Sequence, residues 1–166
     1  TLPAHVKLAV LAAEDASFYE HEGINYFGIA RAVIVNLKSG RFRQGASTIT
    51  QQVVKNVILD AEKSLKRKIR EALLARRLEQ ELTKDEILEL YLNKMYFGAG
   101  LYGAEAAALG YFGKPSREST VAEAAMIAGL VKSPSTWAPT VNLERAVARR
   151  NVVLGAMREM GVIDEA

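Results

Sequence analysis

The sequence predicts a mainly α-helical domain, and three observations carry that prediction. Capping boxes recur: Thr48 with Gln51, Thr83 with Glu86 and Thr120 with Glu123 each pair a hydroxyl at a helix start with an amide or carboxylate three residues on. Apolar residues between these signals recur at spacings of three and four, and the alternation that a half-buried strand needs is almost absent. No cysteine occurs among the 166 residues, which excludes disulfides and thiolate metal sites, so the 49% of hydrophobic residues must supply the core.

The first helix is expected from Pro3 to about Asp15, with proline in the first turn and Val6, Val10 and Leu11 at helical spacing. A second spans Tyr26 to Lys38, followed by the basic, turn-like segment SGRFRQGAS, punctuated by Gly40 and Gly45. The Thr48 box opens a third through Leu59, and a long amphipathic helix follows from about Glu62 to Leu82. The Thr83 and Thr120 boxes start helices running to about Met95 and Leu130. Between them, glycine-rich FGAGLYGAE leads into a short alanine-rich helix, and Asn142 caps a last helix through about Met160. No internal repeat, low-complexity tract or proline-rich linker divides the chain, so residues 1–166 read as one domain.

The net charge of +3 is a modest basic excess that suits phosphates, nucleic acid or an anionic membrane surface equally. No run of about 18 apolar residues is present to span a bilayer, and the start TLPAHVK lacks the layout of a signal peptide. With a helix entry directly after Thr1 and an end at VIDEA directly after another helix, the chain reads as a domain excised from a longer, anchored protein.

Five segments carry candidate chemistry. In EDASFYEHEG, adjacent Glu14 and Asp15 stand at a helix end and face different directions, so one can enter a cleft while the other supports it; equally, acidic residues simply end surface helices. In GASTITQQVVKN, Gln52, Lys55 and Asn56 fall at i, i+3 and i+4 on a helix, with Ser47 near its positive end, a face able to grip phosphates and sugar hydroxyls or to be solvated. In RKIRE, Arg67, Lys68 and Glu71 share about one turn, an arrangement that suits a pyrophosphate and is also an ordinary surface ion pair worth about 0.3 to 0.5 kcal/mol. The segments 87–108 and 111–139 read mostly as core, with Leu88, Tyr91 and Leu92 at helical spacing, and Lys132 beside a Ser-Pro helix stop is set apart as a ligand-facing cation.

The ordered set EDASFYEHEG, GASTITQQVVKN, RKIREALLA, ILELYLNKMYFGAGLYGAEAAA and EAAMIAGLVKSPS resembles the peptidoglycan glycosyltransferase family, which comprises the N-terminal domains of class A penicillin-binding proteins and the monofunctional transglycosylases. The likeness covers nearly the whole chain. It implies a lysozyme-like, two-lobed helical fold with a smaller, membrane-proximal jaw lobe and a cleft. It also implies polymerisation of lipid II, by inverting transfer from a lipid-linked glycan strand with release of undecaprenyl pyrophosphate. Carried over by motif, Glu14 matches the catalytic base for the acceptor's 4-hydroxyl, with Asp15 in support. Ser47, Gln52, Lys55 and Asn56 match donor contacts. Arg67, Lys68 and Glu71 match the group beside the donor pyrophosphate, and Lys132 a further cation. Ala46 and Trp137 depart from the glycine and tyrosine usual at their positions.

No cofactor is required by this reading; a divalent ion, Mg²⁺ or Mn²⁺, could share the pyrophosphate charge although no dedicated metal site is visible. The resemblance places the enzyme on the extracytoplasmic (periplasmic) face of the bacterial cytoplasmic membrane, with a transpeptidase domain C-terminal to it in a bifunctional parent. Ile34, Val35, Leu37 and Phe42, flanked by Lys38, Arg41 and Arg43, could form an interfacial patch. A lysozyme-like hydrolase is the alternative, but it would have little use for Lys55, Arg67 and Lys68. A nucleic-acid binder would explain the basic charge and not the carboxylates, so no nucleic-acid partner is expected.

Overall fold

In the computed structural model, which describes residues 1–41, 45–59 and 63–164, the chain is mainly helical. Helix α1 (Ala4–Glu14) starts one residue later than expected, because Pro3 is the extended N-cap, with ψ of 152°, rather than the first helical residue. Helix α2 (Tyr26–Ser39) is capped by the Asn25 side chain, which accepts from Gly28 N, and ends at left-handed Gly40. Helix α3 (Ile49–Val53) opens on the complete Thr48/Gln51 capping box. It does not continue as α-helix to Leu59: Val54–Ile58 is a π-helical turn, closed by Leu59 N donating to Val54 O.

Helix α4 (Leu65–Glu81) begins at Ser64, whose hydroxyl accepts from Arg67 N. The Thr83/Glu86 pair makes its reciprocal bonds ahead of α5 (Lys84–Lys94). Helix α6 (Ala104–Phe112) and a 3₁₀ turn (Ser116–Glu118) precede α7 (Val121–Leu130), which carries the complete Thr120/Glu123 box. Pro134, expected as a helix stop, instead starts a short helix, α8 (Pro134–Trp137), since its fixed φ and missing N–H suit a first turn. Asn142 caps α9 (Leu143–Glu159) as expected. Among the described residues the only β pairing is an isolated bridge between Tyr96 and Tyr102.

The chain divides into two compact units, Thr1–Ala16 with Leu88–Ala166, and Ser17–Ile87. The first has a conventional core. Helix α7 is buried along Ala124–Leu130, and its small residues let α1 and α9 close on it. Val6, Ala9, Val10 and Leu11 of α1 and Ala146, Val153 and Met157 of α9 meet there; Leu88, Tyr91 and Leu92 of α5 are also buried in this unit. A Cβ on Gly129 would meet Arg149 Cγ at 2.9 Å, so glycine permits that close approach of α7 to α9. At about 1.5 to 3 kcal/mol per fully buried large apolar side chain, this cluster is the main source of stability in the unit.

The second unit buries much less. Of α2 only Gly28 and Ala32 are buried, and of α4 only Glu71 and Ala75. A polar network reinforces its small core of Phe18, Ile49, Val53 and Val54. Glu79 Oε1 accepts from Thr50 Oγ1 at 2.6 Å and pairs with Lys84 Nζ at 2.8 Å, and that ammonium lies 4.4 Å from the Phe18 ring centroid. Tyr19 donates to Asp85 at 2.7 Å; burial first, then that bond, pushes its phenol up to about 12, so the donor is retained. Gly23, with φ of 92°, lies against α4, where an added Cβ would meet Ala75 O at 3.0 Å, and its own carbonyl accepts from Thr48 Oγ1 at 2.7 Å. The loop after Asp15 is thereby tied to the start of α3.

Candidate active site

The predicted residues fall into two groups, one in each unit. In the first unit, Glu14 is the last residue of α1 and Asp15 its C-cap, with the Asp15 N–H donating to Leu11 O at 2.9 Å. Asp15 is buried at 7% exposure, whereas Glu14 is half-buried, with Oε1 as its buried oxygen. The adjacent carboxylates therefore divide as their positions on a helix end require: one is held in the protein and the other retains a path to solvent. Tyr91, read from sequence as core, is fully buried, and its phenol is pushed well above 10 by burial first and then by the charges of Glu14 and Asp15. A neutral phenol thus belongs to the carboxylates' environment. Its distance of 77 positions from Glu14 left no local signal for this contact. Lys132 is exposed in the turn between α7 and α8.

In the second unit, the structure joins Ser47, Lys68 and Glu71. Lys68 Nζ donates to Ser47 Oγ at 3.0 Å and to Glu71 Oε1 at 2.7 Å. Two of the three ammonium hydrogens are thereby used, and the third remains for another acceptor, on a side chain 48% exposed. The expectation of an ordinary solvated ion pair fails at Glu71, which is only 1% exposed because its turn of α4 faces the unit's interior. Among the described residues its buried Oε2 has no hydrogen-bond partner, and neither has Arg67 Nε one turn earlier. An unmade bond at a buried polar atom costs about 1 to 3 kcal/mol, so these two atoms are a standing expense of the fold.

Lys55 and Asn56 stand on a π-helical turn and not on the α-helix expected, and Asn56 Nδ2 donates to Gln52 O, four residues earlier, at 2.7 Å. Lys55 is exposed on this turn and Gln52 half-buried. π-helical turns are frequent at functional sites, a signal that residue spacing alone does not reveal. Among the described residues no three His, Cys, Asp or Glu converge in a way that could hold a metal ion.

A family model described as Transglycosylase matches residues 1–158. Penicillin-binding protein 1A of Escherichia coli (strain K12) is 54% identical over 164 residues, covering 99% of this chain and 19% of that protein. The protein of the same name from Neisseria lactamica is 52% identical over 161 residues, 97% of this chain and 20% of that one. That from Aquifex aeolicus (strain VF5) is 51% identical over 162 residues, 98% of this chain and 22% of its own. The chain thus spans about a fifth of the length of these relatives.

Proposed function

The chain belongs to the transglycosylase family, and from that premise we propose that it is a peptidoglycan glycosyltransferase that polymerises lipid II into glycan strands. The observation that carries the reading is the Ser47, Lys68 and Glu71 cluster, with Arg67 beside it. A hydrolase uses water against a neutral glycosidic bond and has no need of a braced ammonium or an unfilled buried guanidinium N–H. A pyrophosphate leaving group does: in this reading the third Lys68 hydrogen and Arg67 Nε are the donors that meet developing negative charge. Glu71 Oε1 fixes the ammonium, while Oε2 can accept from a sugar hydroxyl. Gln52, Lys55, Asn56 and Lys132 add donor contacts in this reading.

In the reaction so assigned, Glu14 takes the proton of the acceptor's 4-hydroxyl, and the oxygen attacks the donor's anomeric carbon. The bond from that carbon to pyrophosphate breaks on the opposite face, and configuration inverts. Undecaprenyl pyrophosphate leaves with the bonding pair. Asp15, held in place by burial, supports Glu14. A divalent ion, where present, accompanies the pyrophosphate as part of the substrate. The relatives are penicillin-binding proteins by name, and in this reading a transpeptidase domain accompanies this one in a bifunctional parent.

The second unit supports a reading of membrane association. Residues 17–87 hold 13 Lys and Arg against 9 Asp and Glu, net +4, so the remainder of the chain is net −1 and the whole basic excess lies here. The same unit exposes Phe27 (91%), Ile34, Leu37 and, on α4, Leu65, Ile69 and Leu73. Exposed apolar residues among cations suit an anionic bilayer surface, on the extracytoplasmic face where lipid II is used. Phe42, also expected in this patch, lies outside the described residues. Among those residues no helix is long and apolar enough to cross a membrane. Replacing Phe27, Ile34 and Leu37 together by serine should cut binding to anionic vesicles at least about ten-fold with helicity unchanged, since each removes apolar area worth over about 1 kcal/mol. Equal co-sedimentation of variant and parent with vesicles counts against the patch.

Incubation with labelled lipid II in detergent tests the central reading. The expected product is a ladder of polymer on a gel, with release of undecaprenyl pyrophosphate. Absence of polymer, together with shortening of preformed glycan, transfers the chain to the hydrolase alternative.

A further inference from the structure

The hairpin between α5 and α6, in the first unit, carries an aromatic pair that reaches solvent. The Tyr96 and Tyr102 rings lie 4.9 Å apart with planes inclined at 41°, and Tyr102 is 65% exposed. Burial therefore does not explain the pair. The backbone beneath it is nevertheless heavily constrained. Phe97 N donates to Leu101 O and Gly103 N to Met95 O, both at 2.8 Å, and Tyr111 Oη donates to Phe97 O at 2.7 Å. At the tip, Ala99 adopts φ of 52°, a left-handed conformation that is unfavourable for a residue with a Cβ. Gly103 is required where an added Cβ would meet Asn93 O at 2.8 Å. Strain and constraint here fix the position of a ring that stays in solvent.

Position and chemistry indicate a ligand. Helix α5, which feeds the hairpin, carries Tyr91, whose phenol senses Glu14 and Asp15. Tyr96 is five residues further on in the same unit. An aromatic face is negative, and the C–H face of a pyranose ring is apolar and weakly positive, so the two stack. Tyr96 Oη accepts from Gly100 N at 3.3 Å, and among the described residues its own proton has no acceptor, leaving it for a sugar hydroxyl.

We propose that Tyr102, braced by Tyr96, is a stacking subsite for a pyranose ring of the glycan strand, at a sugar other than the one whose bond is made. The assignment of the glycan rests on the polymerase reading above. The subsite itself recognises the saccharide alone, without lipid or pyrophosphate.

Titration with a β-1,4-linked N-acetylglucosamine tetramer, followed by NMR, tests this on the parent chain, Tyr102→Phe, Tyr102→Leu and Tyr102→Ala. The parent should bind, with the largest shifts at the Tyr102 ring. Phe should bind within about two-fold of the parent, whereas Leu and Ala should lose about five-fold or more, the worth of one aromatic contact. No binding by the parent overturns the proposal, as does equal binding by Ala, or a Leu variant as good as Phe. Circular dichroism checks folding, and should Ala fail to fold, the comparison of Leu with Phe decides. Tetramer binding at Tyr102 without lipid II polymerisation would defeat the polymerase reading and keep the subsite. Polymerisation without tetramer binding would do the reverse.

Discussion

Glu14→Gln should reduce lipid II polymerisation by at least about 10², the lower range for loss of a general base, with little change in melting temperature. The substitution keeps the size and planar shape of the side chain but removes the proton acceptor. Its position makes it a clean test. Glu14 ends α1 and is half-buried, while the packing of that helix rests on Val6, Ala9, Val10 and Leu11. Asp15→Asn should be milder in rate, since Asp15 is buried and acts on its neighbour. Lipid II or a pyrophosphate-bearing inhibitor should still bind the Glu14→Gln chain, because the cationic cluster of the second unit is untouched. Polymerisation by this variant at the parental rate would remove the base assignment and move attention to Glu71.

Helix starts were the most legible part of the fold, since a capping box is local chemistry. Thr48, Thr83 and Thr120 all bond as their spacing requires, and Asn142 caps where it was expected to. Departures came where local signals were silent or ambiguous. Nothing in VVKNVIL announces a π-helical turn, and a proline after serine ends one helix or starts another with equal ease. The Glu79 network depends on partners that sequence alone does not bring together, Thr50 lying 29 positions away, whereas the Asn25 cap and the 3₁₀ turn at Ser116–Glu118 bond within three residues.

Motifs named the candidate residues one by one, but spacing misjudged their surroundings. Arg67, Lys68 and Glu71 have the spacing of a solvated surface ladder, and one of the three is almost wholly buried. The reason is tertiary: α4 turns Glu71 and Ala75 inward, with Leu74 and Leu78 half-buried beside them, while leaving Leu65, Ile69 and Leu73 exposed, so its apolar residues lie on both sides. Periodicity read on hydrophobicity alone therefore does not single out the buried face.

The buried carboxylate leads to the other large expected effect. Glu71→Gln should lower polymerisation by about 10² to 10³, the range for losing one preorganised electrostatic contact, while leaving the melting temperature unchanged or slightly higher. The stability argument follows from burial. A charge at 1% exposure with Oε2 unbonded is costly to the fold, and a neutral amide of the same shape removes that cost while its oxygen still accepts from Lys68. Lys68→Met should behave oppositely in stability, losing about 1 to 3 kcal/mol because Glu71 is left buried without its cation. Its rate should also fall. Both defects arise at the leaving group, so each should depend on donor concentration more than that of Glu14→Gln. Thermal melts beside the lipid II gel decide the matter. A Glu71→Gln chain that melts several degrees lower and polymerises normally would make Glu71 a structural residue, whereas a gain in stability with a loss of rate identifies a charge retained for the reaction at the fold's expense.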